Sequence, residues 1–233
     1  MKRIFLCILA CGALGAPAAQ AAEVTGASLG IDYSAFTDDN AGTVSKTALS
    51  GSLELGFDRN FGLQGDLSLG RFGLSDADTA SVALHGLYHA SENASLGAFF
   101  GRDEIEGKGY NFYGAEVGFE QGQFNGDAYV AGGEFANIDG TLMGIGVGYD
   151  ATEAFTLGAS YDTLDVEGYD LSRAQLEAEY RIDSFALTAQ LGSAEIENAG
   201  SETYFGLGAQ FNFGAKRGAT FDQRGVLAIW PGL

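Results

Sequence analysis

The sequence predicts an all-β fold: a transmembrane antiparallel up-and-down β-barrel of about twelve strands, with short turns at one end and longer loops at the other. Three observations carry this. Apolar residues recur with a period of two in stretch after stretch, which places them on one face of a strand. The connections between stretches alternate in length, as an antiparallel meander produces and a parallel sheet, with its long crossovers, cannot. After the first two dozen residues there is no run of 18 apolar residues, so no membrane-spanning helix is expected.

In chain order, residues 1–21 read as a secretory signal peptide. Lys2 and Arg3 give a positive start, Ile4 to Leu14 is a short apolar run, and Ala19-Gln20-Ala21 fits a small-x-small cleavage site. The competing reading is a lipoprotein cut before Cys11, which would leave an unusually short apolar region. Both cysteines, Cys7 and Cys11, fall in this segment, so the mature chain is expected to carry no thiol, disulfide or cysteine-bound metal. Without Lys2 and Arg3, 10 basic residues stand against 31 acidic ones, a formal charge of −21. Such a chain cannot bind nucleic acid through its phosphates. With 46% hydrophobic and 12% aromatic residues it is expected to fold rather than remain disordered.

Residues 22–213 form the barrel, with alternating stretches near 25–36, 46–58, 61–72, 80–90, 94–102, 110–120, 124–133, 141–149, 154–162, 171–181, 185–192 and 203–213. Most are as long as a tilted strand that crosses a bilayer, about 9–11 residues. The clearest hairpin is Met143–Tyr161. Met143, Ile145, Val147 and Tyr149 alternate with Gly144, Gly146 and Gly148; Phe155, Leu157, Ala159 and Tyr161 follow a short polar turn. The second stretch presents Leu49, Leu53, Leu55 and Phe57, the third Phe61, Leu63, Leu67 and Leu69, and the sixth Tyr113, Ala115, Val117 and Phe119. Short turns at Arg59-Asn60, Ser91–Asn93, Gln121–Gln123, Ala151–Glu153 and Ile182–Ser184 are bracketed by large apolar residues. Thr37–Ser45, Gly73–Thr79, Asp103–Gly109, Glu134–Gly140, Thr163–Asp170 and Ser193–Glu202 read as the longer, acidic connections.

Alternation does not say which face looks inward. Eight strands already enclose an interior just wide enough for side chains to fill, so twelve strands lined by Ala, Val and Leu would leave a hole. Placing the apolar face on lipid and the polar face on a wet lumen removes the problem. Aromatics at the strand ends then form an interfacial girdle, the short turns become periplasmic and the longer loops outer. Closure also gives each backbone amide a partner where water is absent. The even strand count puts both termini on the short-turn side.

In this pattern the chain resembles Gram-negative outer-membrane porin-like β-barrels of the alphaproteobacterial type, as a small variant. The segment Thr203-Tyr204-Phe205-Gly206-Leu207-Gly208-Ala209-Gln210-Phe211-Asn212-Phe213 is similar to a last porin strand with its closing phenylalanine. The resemblance implies an outer-membrane location and recognition of that strand by the barrel-assembly machinery. The chain departs from the general porins, which have sixteen or more strands and a long constriction loop, and 20 residues follow Phe213.

On this orientation Asp32, Glu54, Asp66, Glu116, Asp127, Glu177 and Glu179 line the pore, opposed by Arg173 and Arg181. Acid lining a channel with low-dielectric walls concentrates cations. The expected function is passive diffusion of small hydrophilic solutes, with cation preference and without catalysis or cofactor. The alternative is a structural or surface-interaction barrel with a closed lumen; a hydrolase is remote. Oligomerisation is left open. His85 and His89 also face the lumen. Four residues along a strand span roughly 13 Å, too far for one metal to hold both, so they are read as pore-lining groups that alter conduction below neutral pH. Inward glycines such as Gly97, Gly114, Gly118, Gly144 and Gly208 leave space or permit inter-strand twist. Gly26-Ala27-Ser28-Leu29-Gly30 matches a hydrolase elbow only as a string, since that motif needs a strand, a sharp turn and a helix. The tail, residues 214–233, holds Lys216, Arg217 and Arg224 and ends in the apolar run Val226–Leu233. It reads first as a periplasmic extension, disordered or docked on a partner, and second as a partial plug in the acidic lumen.

Overall fold

The computed structural model describes residues 22–37, 44–135, 138–166, 169–197, 200–213 and 219–231. The segment expected to be a signal peptide, residues 1–21, and Lys216 and Arg217 of the tail lie outside them. Twelve strands follow one another: β1 (Glu23–Phe36), β2 (Ser45–Gly56), β3 (Phe61–Phe72), β4 (Asp78–Ser91), β5 (Ala94–Ile105), β6 (Lys108–Gln121), β7 (Phe124–Phe135), β8 (Ile138–Thr152), β9 (Phe155–Val166), β10 (Tyr169–Ile182), β11 (Phe185–Ile196) and β12 (Gly200–Phe213). Each pairs antiparallel with its sequence neighbours, and β12 closes on β1 from Ala27↔Phe213 to Phe36↔Tyr204. No sheet edge remains, the condition for a sheet to stand in hydrocarbon.

The orientation of the faces is decided by exposure. Leu53 is 46% and Val147 54% exposed on the outer surface, and Leu29, Leu49, Leu84, Leu176 and Leu207 share that outward side. Inward positions of the same strands are buried or half-buried: β4 alternates outward Val82, Leu84 and Tyr88 with inward Ser81, Ala83, His85 and Leu87. At the short-turn end an outer ring of aromatics forms cross-strand pairs, Phe61–Tyr88 at 5.2 Å and Phe124–Tyr149 at 5.1 Å between ring centroids. This is the expected interfacial girdle.

Ten of the twelve strands run further than the alternation suggested, and all are 12 to 15 residues long. Four of the six connections read as long loops therefore shrink to two or three residues; only 37–44 and 73–77 stay longer. Acidic stretches such as Asp103–Ile105 pair as strand against Lys108–Tyr110. Glu106 and Gly107, both with positive φ (51° and 79°), make the two-residue turn between them. Mirror-image turns of this kind match strand twist, so the hairpin needs no longer loop.

Ser28 sits within β1, in register with Asn212 and Ser52. The strand continues through it to Phe36, so the turn and helix of a hydrolase elbow are not there.

Candidate functional site

The lumen is occupied by the chain's own C-terminal segment, which corrects the expectation of a periplasmic extension. Residues 219–231 thread the barrel from the short-turn end to the long-loop end. At the start, Thr220 N donates to Glu54 Oε2 (2.8 Å), near the end of β2. Next, Gln64 clamps both backbone groups of Phe221: its Nε2 donates to the carbonyl (2.6 Å) and its Oε1 accepts from the amide (3.0 Å). Mid-barrel, Arg224 donates from Nε to Glu116 Oε2 and from Nη2 to Asp127 Oδ2, each 2.8 Å. Its guanidinium lies 4.3 Å from the centre of the Tyr129 ring. A short helix, α1 (Val226–Ile229), follows. Leu227 N donates to Asp103 Oδ2 (3.1 Å). Lys46 Nζ donates to the Leu227 carbonyl and to that of Trp230 (2.9 Å). Arg173 reaches the Ala228 carbonyl (3.4 Å), and Ser34 Oγ bonds the Pro231 carbonyl. The physical reason is charge and pairing: an acidic wall receives the arginine, and side chains satisfy backbone groups that would otherwise be buried alone.

Two positions on the segment are set by shape. A Cβ at Gly97 would stand 2.9 Å from the Phe221 ring, and one at Gly118 3.1 Å from it. These glycines form a seat for the ring. Gly225 has φ 121° and ψ 168°, a conformation open essentially to glycine alone. A Cβ there would also meet Asp103 Oδ2 at 2.7 Å and Phe112 at 2.9 Å. Elsewhere on the wall the same economy holds: Gly114 lies against Phe99, Gly144 against Tyr129 and Gly192 against Tyr204. The inward glycines are seats for rings as much as open space.

Of the predicted pore-lining residues, Glu54, Asp66, His85 and Glu116 are buried beneath the segment rather than facing an open path. His85 lies fully buried between two carboxylates, Nε2 2.9 Å from Asp66 and Nδ1 2.6 Å from Glu116. Both ring nitrogens therefore face carboxylates, with Nδ1 hydrogen-bonded to Glu116 and Nε2 within ion-pair distance of Asp66. The chain Asp66–His85–Glu116–Arg224–Asp127 is one continuous polar network linking β3, β4, β6 and β7 to the tail. His89 shares the parity of His85 and pairs with Ser95 Oγ (2.8 Å). Arg173 is bound to Asp162 (2.7 Å), which also accepts from Tyr129 OH (2.7 Å). Arg181 joins Asp150 and Glu179.

Asp32, Asp127, Arg173, Glu177 and Glu179 line a cavity of about 540 Å³ between the segment and the opposite wall. Asp222 of the segment faces the same space. Among the described residues Asp32 and Glu177 have no base in ion-pair contact; Glu177 accepts from Gln190 Nε2 (2.8 Å).

Sequence reasoning missed the apolar cluster at the long-loop end of the lumen. Phe72, Phe112, Leu142, Leu164 and Leu171 point inward there and pack with Leu227, Ile229 and Trp230. The signal was in the sequence, as large apolar residues on the inward parity near the outer strand ends, matched by the apolar run of the tail. Lys46 and Asp103, which anchor α1, were also not singled out.

A family described as "Outer membrane protein beta-barrel domain" matches residues 5–181. No curated protein sequence matches the chain. Among solved structures, NanC porin superposes with a TM-score of 0.65 at 8% identity, covering 78% of this chain and 98% of that one. KdgM porin in complex with disordered oligogalacturonate gives 0.62 at 12% identity, covering 80% and 99%. An outer-membrane channel from Pseudomonas putida F1 gives 0.60 at 15% identity, covering 86% and 100%. At these identities the likeness is one of fold.

Proposed function

This chain belongs to the outer membrane protein beta-barrel domain family, and from that premise we propose that it is a small porin-like channel for passive diffusion of small hydrophilic solutes, with a preference for cations. It lies in the outer membrane. The observation that carries the reading is the polar cavity of about 540 Å³ running beside the C-terminal segment, lined on its open side by Asp32, Glu177 and Glu179. Carboxylates in a narrow, low-dielectric-walled space raise the local cation concentration. The oligogalacturonate of the KdgM complex carries a carboxylate on each sugar, and this lining would repel it; that solute does not transfer to the present chain. β12, ending in Phe211 and Phe213, is the element we assign to recognition by the barrel-assembly machinery.

Planar-bilayer recordings test this. In asymmetric salt the wild type is expected to give a reversal potential of cation-selective sign. Glu177→Gln is expected to lower the cation-over-anion permeability ratio severalfold without changing barrel assembly. An anion-selective wild type would reject the acidic-lumen mechanism.

A second reading, a closed structural barrel, is favoured by one observation: the apolar packing of Phe72, Phe112 and Leu142 on Leu227 and Ile229 at the long-loop end. That reading expects no conductance from the wild type.

A further inference from the structure

We propose that residues 219–231 are a displaceable plug: the lumenal wall of β2 to β7 is a recognition site for one extended peptide, this chain's own, and conduction rises when the segment leaves it. The proposal rests on the channel reading above.

Three features distinguish a plug from a structural strut. First, the segment adds no strand. The twelve-strand ladder closes on itself through β1 and β12, so departure of the segment breaks no barrel backbone bond. Second, the wall reads the segment as a site reads a peptide. Gln64 engages the amide and carbonyl of one residue, Gly97 and Gly118 receive its ring, and two carboxylates hold Arg224. Lys46 and Asp103 then fix α1 through its backbone. Third, the segment has a water-accessible face. Asp222, Gln223 and Trp230 border the cavity, so the segment is not enclosed by barrel wall on every side. Departure would remove Arg224 and uncover Glu54, Asp103, Glu116 and Asp127. The opened lumen would therefore be more cation-selective as well as wider.

The test uses the full chain. Gly225→Val introduces a side chain where neither the backbone conformation nor Asp103 admits one. Phe221→Ala combined with Arg224→Ala removes the ring from its seat and the cation from its carboxylates. Neither change touches a barrel strand; heat-modifiable migration in gels confirms closure of each barrel. Both variants are expected to conduct severalfold more than the wild type and with higher cation selectivity. Addition of a synthetic peptide of residues 219–231 is expected to return the double variant to the wild-type level. A conducting wild type with unchanged variants would overturn the plug and leave the channel reading standing. Variants that open but ignore the peptide would overturn the recognition site. Silence of all three proteins would overturn the channel reading and the plug with it.

Discussion

Leu84→Arg is expected to destabilise the barrel by about 2–4 kcal/mol, the cost of a cationic side chain on the lipid face near the bilayer midplane. Leu84 sits at the centre of β4, half exposed on the outer surface, opposite Gly65 on β3 and Phe100 on β5. Its cross-strand neighbours Gly65 and Phe100 offer the guanidinium no partner, so it must snorkel toward an interface or drag water with it. The same substitution at Thr188 is expected to be tolerated, because that position faces the chamber that also holds Glu177 and Asp32. Urea unfolding of the barrel refolded in lipid vesicles measures both. Equal losses at the two positions would mean that the two faces have been assigned the wrong way round.

Glu116→Ala is the second large effect. Glu116 is buried and holds two groups at once, His85 on one oxygen and the Arg224 guanidinium on the other. Its removal leaves the fully buried His85 and the Arg224 guanidinium with Asp66 and Asp127 as their remaining partners. Breaking a buried pair from one side costs about 3–5 kcal/mol, because the partner stays desolvated. The variant is expected to lose that much in the same unfolding assay. Because Arg224 then holds the tail by Asp127 alone, conductance is expected to rise as well. Glu116→Gln keeps one acceptor oxygen, for His85 or for Arg224 but not for both, and fills the same volume, so it is expected to recover part of the stability. A loss below about 1 kcal/mol, the range of exposed pairs, would show that water reaches the network.

Both expectations draw on the two faces of one ribbon, and those faces differ in how far they could be read in advance. The lipid side was legible almost throughout: Leu53, Val147 and Leu207 repeat at a spacing that backbone geometry alone converts into a face. The lumenal side was legible only as an average. Its acids were identified, yet Glu116 and Glu54 turned out to be anchors of a peptide, and Asp66 a support for Gln64 and His85 beneath it, rather than walls of an open path. Phe72, Phe112 and Leu142 occupy the polar parity and were passed over, because a single large residue among glycines and acids does not disturb a period-two pattern.

Strand number, antiparallel order and the greasy outer surface were determined by the sequence itself, since each depends on residues two apart or on hairpin neighbours. The place of the C-terminal segment was decided only by the tertiary structure. Gln64 and Phe221 lie 157 residues apart, and Arg224 meets Glu116 and Asp127 from 108 and 97 residues away. No local propensity encodes such meetings; they exist because closing the sheet brings glycine seats, carboxylates and an apolar outer mouth around one lumen, and a segment with one arginine and an apolar end fits all three at once.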